Sequence, residues 1–130
     1  MGLLRTDLQY AMEQNVGVFR TREGLLQAAE DVRNLQERFK HIRLDDSSKV
    51  FNTELTAVLE LRNMLDAAET VVAPAILREE SRGSNARRDF EERDDQKFLA
   101  HSLSYRTPDG PRVEWQEAII TSYEPEKRTY

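Results

Sequence analysis

Arg78-Glu79-Glu80-Ser81-Arg82-Gly83-Ser84-Asn85-Ala86-Arg87-Arg88-Asp89, with Glu92-Arg93-Asp94-Asp95 close behind, marks the point where the helical pattern of this 130-residue chain stops. Five arginines and no lysine alternate there with carboxylates around a single glycine. A planar, permanently charged fork holds a carboxylate in fixed geometry, whereas an ammonium is a loose point charge. Such a segment suits ion pairs that must be in register at a docked surface. An ordinary solvated charge run at a helix end is the alternative. Either way, it separates a helical part of the chain from a strand-forming part.

Upstream, three helical segments follow from apolar spacing. Leu4, Leu8 and Ala11 or Met12 share one face of a first helix over about 3–14, which Asn15-Val16-Gly17 breaks. Thr21 is the N-cap of a second, in which Leu25, Ala28, Val32, Leu35 and Phe39 recur at steps of three and four, a narrow bundle-type seam. Gly24 weakens that helix by about 1 kcal/mol relative to Ala. Lys40 to Phe51, with Asp45-Asp46-Ser47-Ser48, reads as a connection. Asn52 caps the third and longest helix, expected to reach about Arg82. Leu55, Val58, Leu59, Leu65, Val72 and Ile76 form one apolar band on it, and Ala57, Leu61, Met64, Ala68 and Val71 another, so it calls for contact on two sides. Pro74 cannot donate to Thr70, which predicts a kink or local break at roughly 3 kcal/mol unless compensated. Gly83 fits the left-handed position just beyond that helix, with Arg78 and Arg82 near the negative end of its dipole.

Downstream, Leu99, His101, Leu103 and Tyr105 alternate with Ala100, Ser102 and Ser104, and Val113, Trp115 and Glu117 supply a return strand. Thr107-Pro108-Asp109-Gly110 between them is turn chemistry, since Pro fixes the first turn dihedral and Gly accepts positive φ. The tail from Tyr123 to Tyr130 has no periodicity. The fold class is mainly α: a spectrin-repeat-like three-helix bundle over 1–82, a charged crossing over 83–98, and a C-terminal β-hairpin with an extended tail over 99–130, all one structural domain.

Composition narrows the function classes. Only 38% of residues are apolar and 33% are charged, which fits wet outer helix faces or an apolar surface shared with something absent. A net charge of −5 argues against a nucleic-acid surface. Without cysteine there is no disulfide, thiolate metal site or iron–sulfur ligation within the chain. No stretch approaches the roughly 20 apolar residues that span a bilayer, and no secretory leader pattern is present.

Site chemistry is sparse. His41 and His101, the only histidines, lack metal-ligand spacing; His101 is expected to make a structural hydrogen bond rather than transfer a proton. Glu79, Glu80, Asp89, Glu92, Asp94 and Asp95 could pair for acid–base work, but arginine neighbours lower a carboxylate pKa, the opposite of what a general acid needs. There is no G-x-S-x-G elbow. Phe98, Tyr105 and Trp115 read as hairpin packing. The five glycines, at 2, 17, 24, 83 and 110, do not make the G-x-G-x-x-G spacing that lets backbone approach a pyrophosphate.

Glu80-Ser81-Arg82-Gly83, Arg87, Glu92-Arg93-Asp94-Asp95, Phe98-Leu99 and His101-Ser102-Leu103 resemble the C-terminal region of succinate dehydrogenase and fumarate reductase flavoprotein subunits. Met12 with Gly17-Val18-Phe19-Arg20, Leu35-Gln36-Glu37-Arg38-Phe39, Phe51-Asn52-Thr53-Glu54-Leu55 and the closing Pro125, Lys127-Arg128 and Tyr130 extend the likeness to both ends. The resemblance implies an excised C-terminal domain, with a native end and an artificial beginning. The parent oxidoreductase would interconvert succinate and fumarate on FAD and pass electrons through an iron–sulfur subunit to quinone. It implies no catalytic, cofactor-binding or metal residue in this chain, which would be inactive alone. A domain-docking motif of Glu80, Ser81, Arg82, Gly83, Arg87, Arg93, Asp94, Asp95 and His101 would face the flavin-binding and capping domains and the iron–sulfur subunit. The parent would be cytoplasmic, peripheral on the membrane through partner subunits. Asn85 stands where the family has histidine, which removes any role needing an imidazole. Two other readings fit: a stand-alone helical interaction module, and the C-terminal domain of L-aspartate oxidase, which has a similar Glu-Ser-Arg-Gly motif.

Overall fold

The computed structural model describes residues 2–123, 125 and 126. Helix α1 (Gly2–Val16) buries Leu4, Leu8, Ala11 and Val16. Helix α2 (Arg22–Phe39) starts at Thr21, whose hydroxyl accepts the Gly24 N–H at 3.1 Å, and buries the seam Leu25, Ala28, Val32 and Leu35. Helix α3 (Thr53–Leu77) starts at Asn52, whose side-chain oxygen accepts the Leu55 N–H at 2.7 Å. Both caps satisfy donors that a helix start leaves orphaned.

The core has two layers along the bundle. Leu4 and Leu8 of α1 meet Val32 and Leu35 of α2 and Leu61, Leu65 and Ala68 of α3 in one. Val16, Leu25, Ala28, Val72 and Ala75 make the other. The start of α1 thus lies against the end of α2, and the end of α1 against its start, an up-down-up arrangement. Among the described residues no helix is long and apolar enough to cross a membrane.

Two features of α3 differ from the sequence expectation. It ends at Leu77, not near Arg82, although it does run one turn past Pro74. The Pro74 carbonyl accepts the closing bond from the Arg78 N–H at 2.9 Å, and Arg78 then turns extended. Gly83 is left-handed, at φ +59°, but it caps no helix. It occupies a two-residue turn closed by reciprocal backbone bonds between Arg82 and Asn85, at 3.0 and 3.1 Å. Competition explains both: the side chains after Leu77 are claimed by partners outside the helix, described below. One stripe of α3 is buried: Leu65 and Val72 come from one expected band, Leu61 and Ala68 from the other, and Ala75 from neither, while Leu55, Leu59 and Val71 stay exposed.

The remaining elements tie the crossing to the bundle. Strand β1 (Phe19–Arg20), between α1 and α2, pairs in parallel with β2 (Ala86–Arg87). A single helical turn, α4 (Asp95–Phe98), leads into the antiparallel hairpin of β3 (Ala100–Thr107) and β4 (Gly110–Glu117). The hairpin turn is the expected one, with Gly110 at φ +109°. The half-buried face carries Ser102 and Ser104, opposite Trp115 and Val113, and the hairpin lies along α3. Phe98 meets Trp115 edge-on at 5.4 Å, but Tyr105 is not part of that cluster; it lies under Arg112 on the other face. The tail positions Lys127, Arg128 and Tyr130 lie outside the described residues.

Candidate functional site

From Arg78 to Asp95 the chain folds into a knot of ion pairs that joins the end of α3, the start of α2 and the base of the hairpin. Glu80 lies at its centre, fully buried. Its Oε1 accepts from Arg78 Nη1 at 2.6 Å and Arg82 Nε at 2.8 Å. Its Oε2 accepts from Arg82 Nη2 at 3.0 Å and the Asp94 N–H at 2.8 Å. Full coverage of this kind is what lets a carboxylate stay charged away from water. Burial pushes Glu80 upward, but the bonds from Arg82, the Asp94 N–H and Arg78 outweigh it and leave the carboxyl below its ordinary pKa.

The network spreads from this centre along two arginines. Arg82 continues to Asp95 at 2.5 Å, and the other Asp95 oxygen is held by Arg93 at 2.7 Å. The Arg82 bond is the main cause of the lowered pKa of Asp95. Arg78 turns toward the hairpin, donating to the carbonyls of Phe98 at 2.9 Å and Ala100 at 2.7 Å. Its guanidinium lies 4.8 Å from the Trp115 ring and 5.6 Å from that of Phe98. One side chain thus sets where the hairpin leaves the bundle.

Arg87, also buried, serves the opposite side. It holds Asp89 in a two-toothed pair at 2.8 and 2.7 Å and donates through Nη1 to the carbonyls of Ala75 at 3.0 Å and Arg78 at 2.9 Å. Asp89 in turn accepts the N–H of Arg22, the first residue of α2, at 2.9 Å. Bonds from Arg87, opposed by partial burial and aided by the Arg22 N–H, hold Asp89 down to about 2. The Ser81 hydroxyl accepts the Arg87 N–H at 2.8 Å and donates to the Phe90 carbonyl at 2.9 Å. Asn85 donates to the Glu80 carbonyl and accepts from Arg20, both at 2.9 Å. That places an amide's donor and acceptor on opposite partners.

Of the residues singled out from sequence, Glu80, Ser81, Arg82, Arg87, Asp94 and Asp95 meet in the knot and Gly83 makes its turn. Arg93 sits at the rim and also donates to the Glu126 carbonyl at 2.7 Å. His101 lies elsewhere, exposed on β3 opposite Gln116, and the hydrogen bond expected of its side chain is not formed among the described residues. Sequence reasoning missed Arg20, the Arg22 N–H and the capping role of Asp89. Their sequence separations from the knot, 65 residues for Arg20–Asn85 and 67 for Arg22–Asp89, leave no local signal.

Chemically, the arrangement holds carboxylates ionised. Glu80, Asp89 and Asp95 are all shifted away from proton donation near neutrality. Among the described residues no group of three or more His, Cys, Asp or Glu could hold a metal ion. The two positive-φ glycines, Gly83 and Gly110, each sit in a tight turn whose left-handed backbone favours glycine, with open space where a Cβ would stand.

The family described as "Fumarate reductase flavoprotein C-term" matches residues 5–130. The fumarate reductase flavoprotein subunit of Mycobacterium tuberculosis is 47% identical over 128 residues, covering 98% of this chain and 22% of that protein. Its Escherichia coli counterpart is 42% identical over 130 residues, with the same coverage of 98% and 22%. A solved E. coli quinol fumarate reductase superposes with a TM-score of 0.92 at 40% identity, over 97% of this chain and 22% of the solved one. The chain spans about a fifth of the length of the curated relatives it matches.

Proposed function

Since the chain belongs to the family of fumarate reductase flavoprotein C-terminal domains, we propose that it serves as the bracing domain of an oxidoreductase subunit that interconverts succinate and fumarate. The observation that carries this reading is a family match from residue 5 to residue 130. FAD, held by portions of the subunit outside these residues, would supply the hydride chemistry. Electrons would pass through an iron–sulfur subunit to quinone, with the assembly peripheral on the cytoplasmic face of the membrane. No residue of this chain takes a chemical step.

What the chain contributes is rigidity where it meets the flavin-binding and capping domains. Glu80, Ser81, Arg82, Gly83 and Arg87 hold the crossing in one shape together with Asp94 and Asp95, Arg93 stands at its rim, and His101 is exposed on the neighbouring β3. A self-satisfied ionic knot suits that role, because its charges need no reorganisation on docking. Bundle, crossing and hairpin would then move as one body.

Assay with a reduced dye and fumarate tests the reading. The 130-residue chain should give no turnover and the complete subunit should; turnover by the chain alone would refute it. Arg82→Ala in the complete subunit should lower flavin retention or subunit assembly, and unchanged flavin content and complex yield would count against the bracing role.

A further inference from the structure

The connection from α2 to α3 carries an exposed aromatic in a strained conformation. Phe51 is 94% exposed and has φ +56°, the one non-glycine positive φ among the described residues. For a bulky side chain that conformation is a genuine outlier, costing of order 1–2 kcal/mol. The surrounding loop is built to hold it. The Glu54 carboxylate accepts the N–H groups of Asp45 and Asp46 at 2.9 and 2.8 Å, and the Asn52 amide donates to the carbonyls of Asp46 and Ser48 at 2.9 and 3.1 Å. Val50 beside it is 71% exposed, and Leu55 and Leu59, at steps of four along α3, are 41% and 51% exposed. Val50 and Phe51, just before α3, and Leu55 and Leu59 in its first two turns thus leave four apolar side chains exposed within ten residues at this end of the helix. Leu55 and Leu59 are the early members of an α3 band whose later members, Leu65 and Val72, are buried in the bundle.

We infer that Val50, Phe51, Leu55 and Leu59 form a preorganised docking strip for the remainder of the flavoprotein subunit, with Phe51 inserting into an apolar socket there. This rests on the reading above, under which four fifths of the subunit lies outside these 130 residues. Glu54, which neighbours Leu55 in the chain, has its carboxylate already engaged by the Asp45 and Asp46 N–H groups, which suits a permanent, core-like interface. Backbone strain kept at a fully exposed aromatic is the mark of a feature retained for contact.

Hydroxyl-radical footprinting of the complete subunit, purified without its partner subunits, tests this. Phe51, Leu55 and Leu59 should be labelled freely in the 130-residue chain and lose that labelling in the complete subunit. Equal labelling in both, or protection appearing only when an iron–sulfur subunit is added or when the short chain is concentrated, would overturn the proposal. Phe51→Asn provides a second arm, because Asn accepts left-handed φ but cannot fill an apolar socket. The thermal midpoint of the short chain should hold or rise, while that of the complete subunit should fall; a parallel response in both would also overturn it. Succinate/fumarate turnover by the same preparation keeps the two ideas apart: turnover with an unprotected Phe51 removes only the docking strip, and a reading frame without flavin chemistry removes the underlying reading.

Discussion

Arg87 and Asp89 form a two-toothed pair whose halves cap opposite helix ends. The guanidinium donates to carbonyls at the end of α3, and the carboxylate accepts the first N–H of α2. Each charge has the sign that the adjoining helix dipole favours. Two helices separated by a long connection are thus fastened by residues two apart in the chain. Removing either partner leaves the other without its counter-charge.

Arg87→Ala should therefore destabilise the fold by about 2–3 kcal/mol, because it removes the charge-assisted bonds of a buried guanidinium to Asp89 and to the Ala75 and Arg78 carbonyls, while the Asp89 left behind is partly exposed. That is a large fraction of the roughly 5–15 kcal/mol available to a domain of this kind. Arg87→Lys should recover little, since an ammonium cannot reproduce the fork. Urea denaturation of the variants is the check. A loss below about 1 kcal/mol for either substitution would deny the pair its fastening role.

Acid should act on the same knot. Asp89 sits at about 2 when folded, below its ordinary 3.8, and Glu80 and Asp95 are also lowered. A depressed folded pKa means the unfolded chain binds protons first, so this stability is complete above the unfolded value and drains as pH falls toward the folded one. Stability should be level near neutrality and decline from about pH 4 toward pH 2. Asp89→Asn should flatten that decline by about 1–2 kcal/mol, after allowance for the partial exposure of Asp89. Denaturation midpoints taken across the acid range decide it; an unchanged slope in the variant would rule out the assignment.

Helix seams and turns were legible in the sequence because their signals are local. The Leu25–Leu35 spacing, the caps Thr21 and Asn52, and Thr107–Gly110 each declare themselves within a few residues. The end of α3 was not legible. Helix propensity carries the pattern on to Arg82, but Glu80, Arg82 and Arg87 are held by partners outside the helix, and side-chain satisfaction wins over propensity. The charged run read either as ion pairs in register at a docked surface or as an ordinary solvated run, and the pairs it makes are within the chain. Its partition into a Glu80 half facing the hairpin and an Asp89 half facing α2 depends on contacts that only tertiary folding creates. His101 shows the reverse error, a strand position whose face could not be told from alternation in a hairpin with small residues on its packed side.

Gly83 offers a clean backbone test. Nothing stands within 4 Å of where its Cβ would be, so Gly83→Ala meets no clash and only the left-handed φ of +59° is penalised. A loss of about 1 kcal/mol is expected, with Gly83→Asn milder because Asn tolerates that region. If Ala and Asn prove equally costly in thermal denaturation, something other than φ constrains the turn.

Arg78 should control the hairpin separately from the bundle. Its guanidinium joins Glu80, the carbonyls of Phe98 and Ala100 and the Trp115 ring, and among the described residues no other side chain links all of these. Arg78→Met keeps much of the aliphatic stem while removing the three hydrogen bonds the fork donates, leaving the Phe98 and Ala100 carbonyls to water and Glu80 with Arg82 and the Asp94 N–H. Local opening at the hairpin should become easier by about 1–3 kcal/mol, because the bundle core of α1, α2 and α3 does not pass through Arg78. Amide exchange over 100–117 should accelerate while protection over 25–35 persists, and fluorescence from Trp115, the sole tryptophan, should shift toward the red. Uniform acceleration across both regions would mean that hairpin and bundle open together, and that Arg78 is no boundary between them.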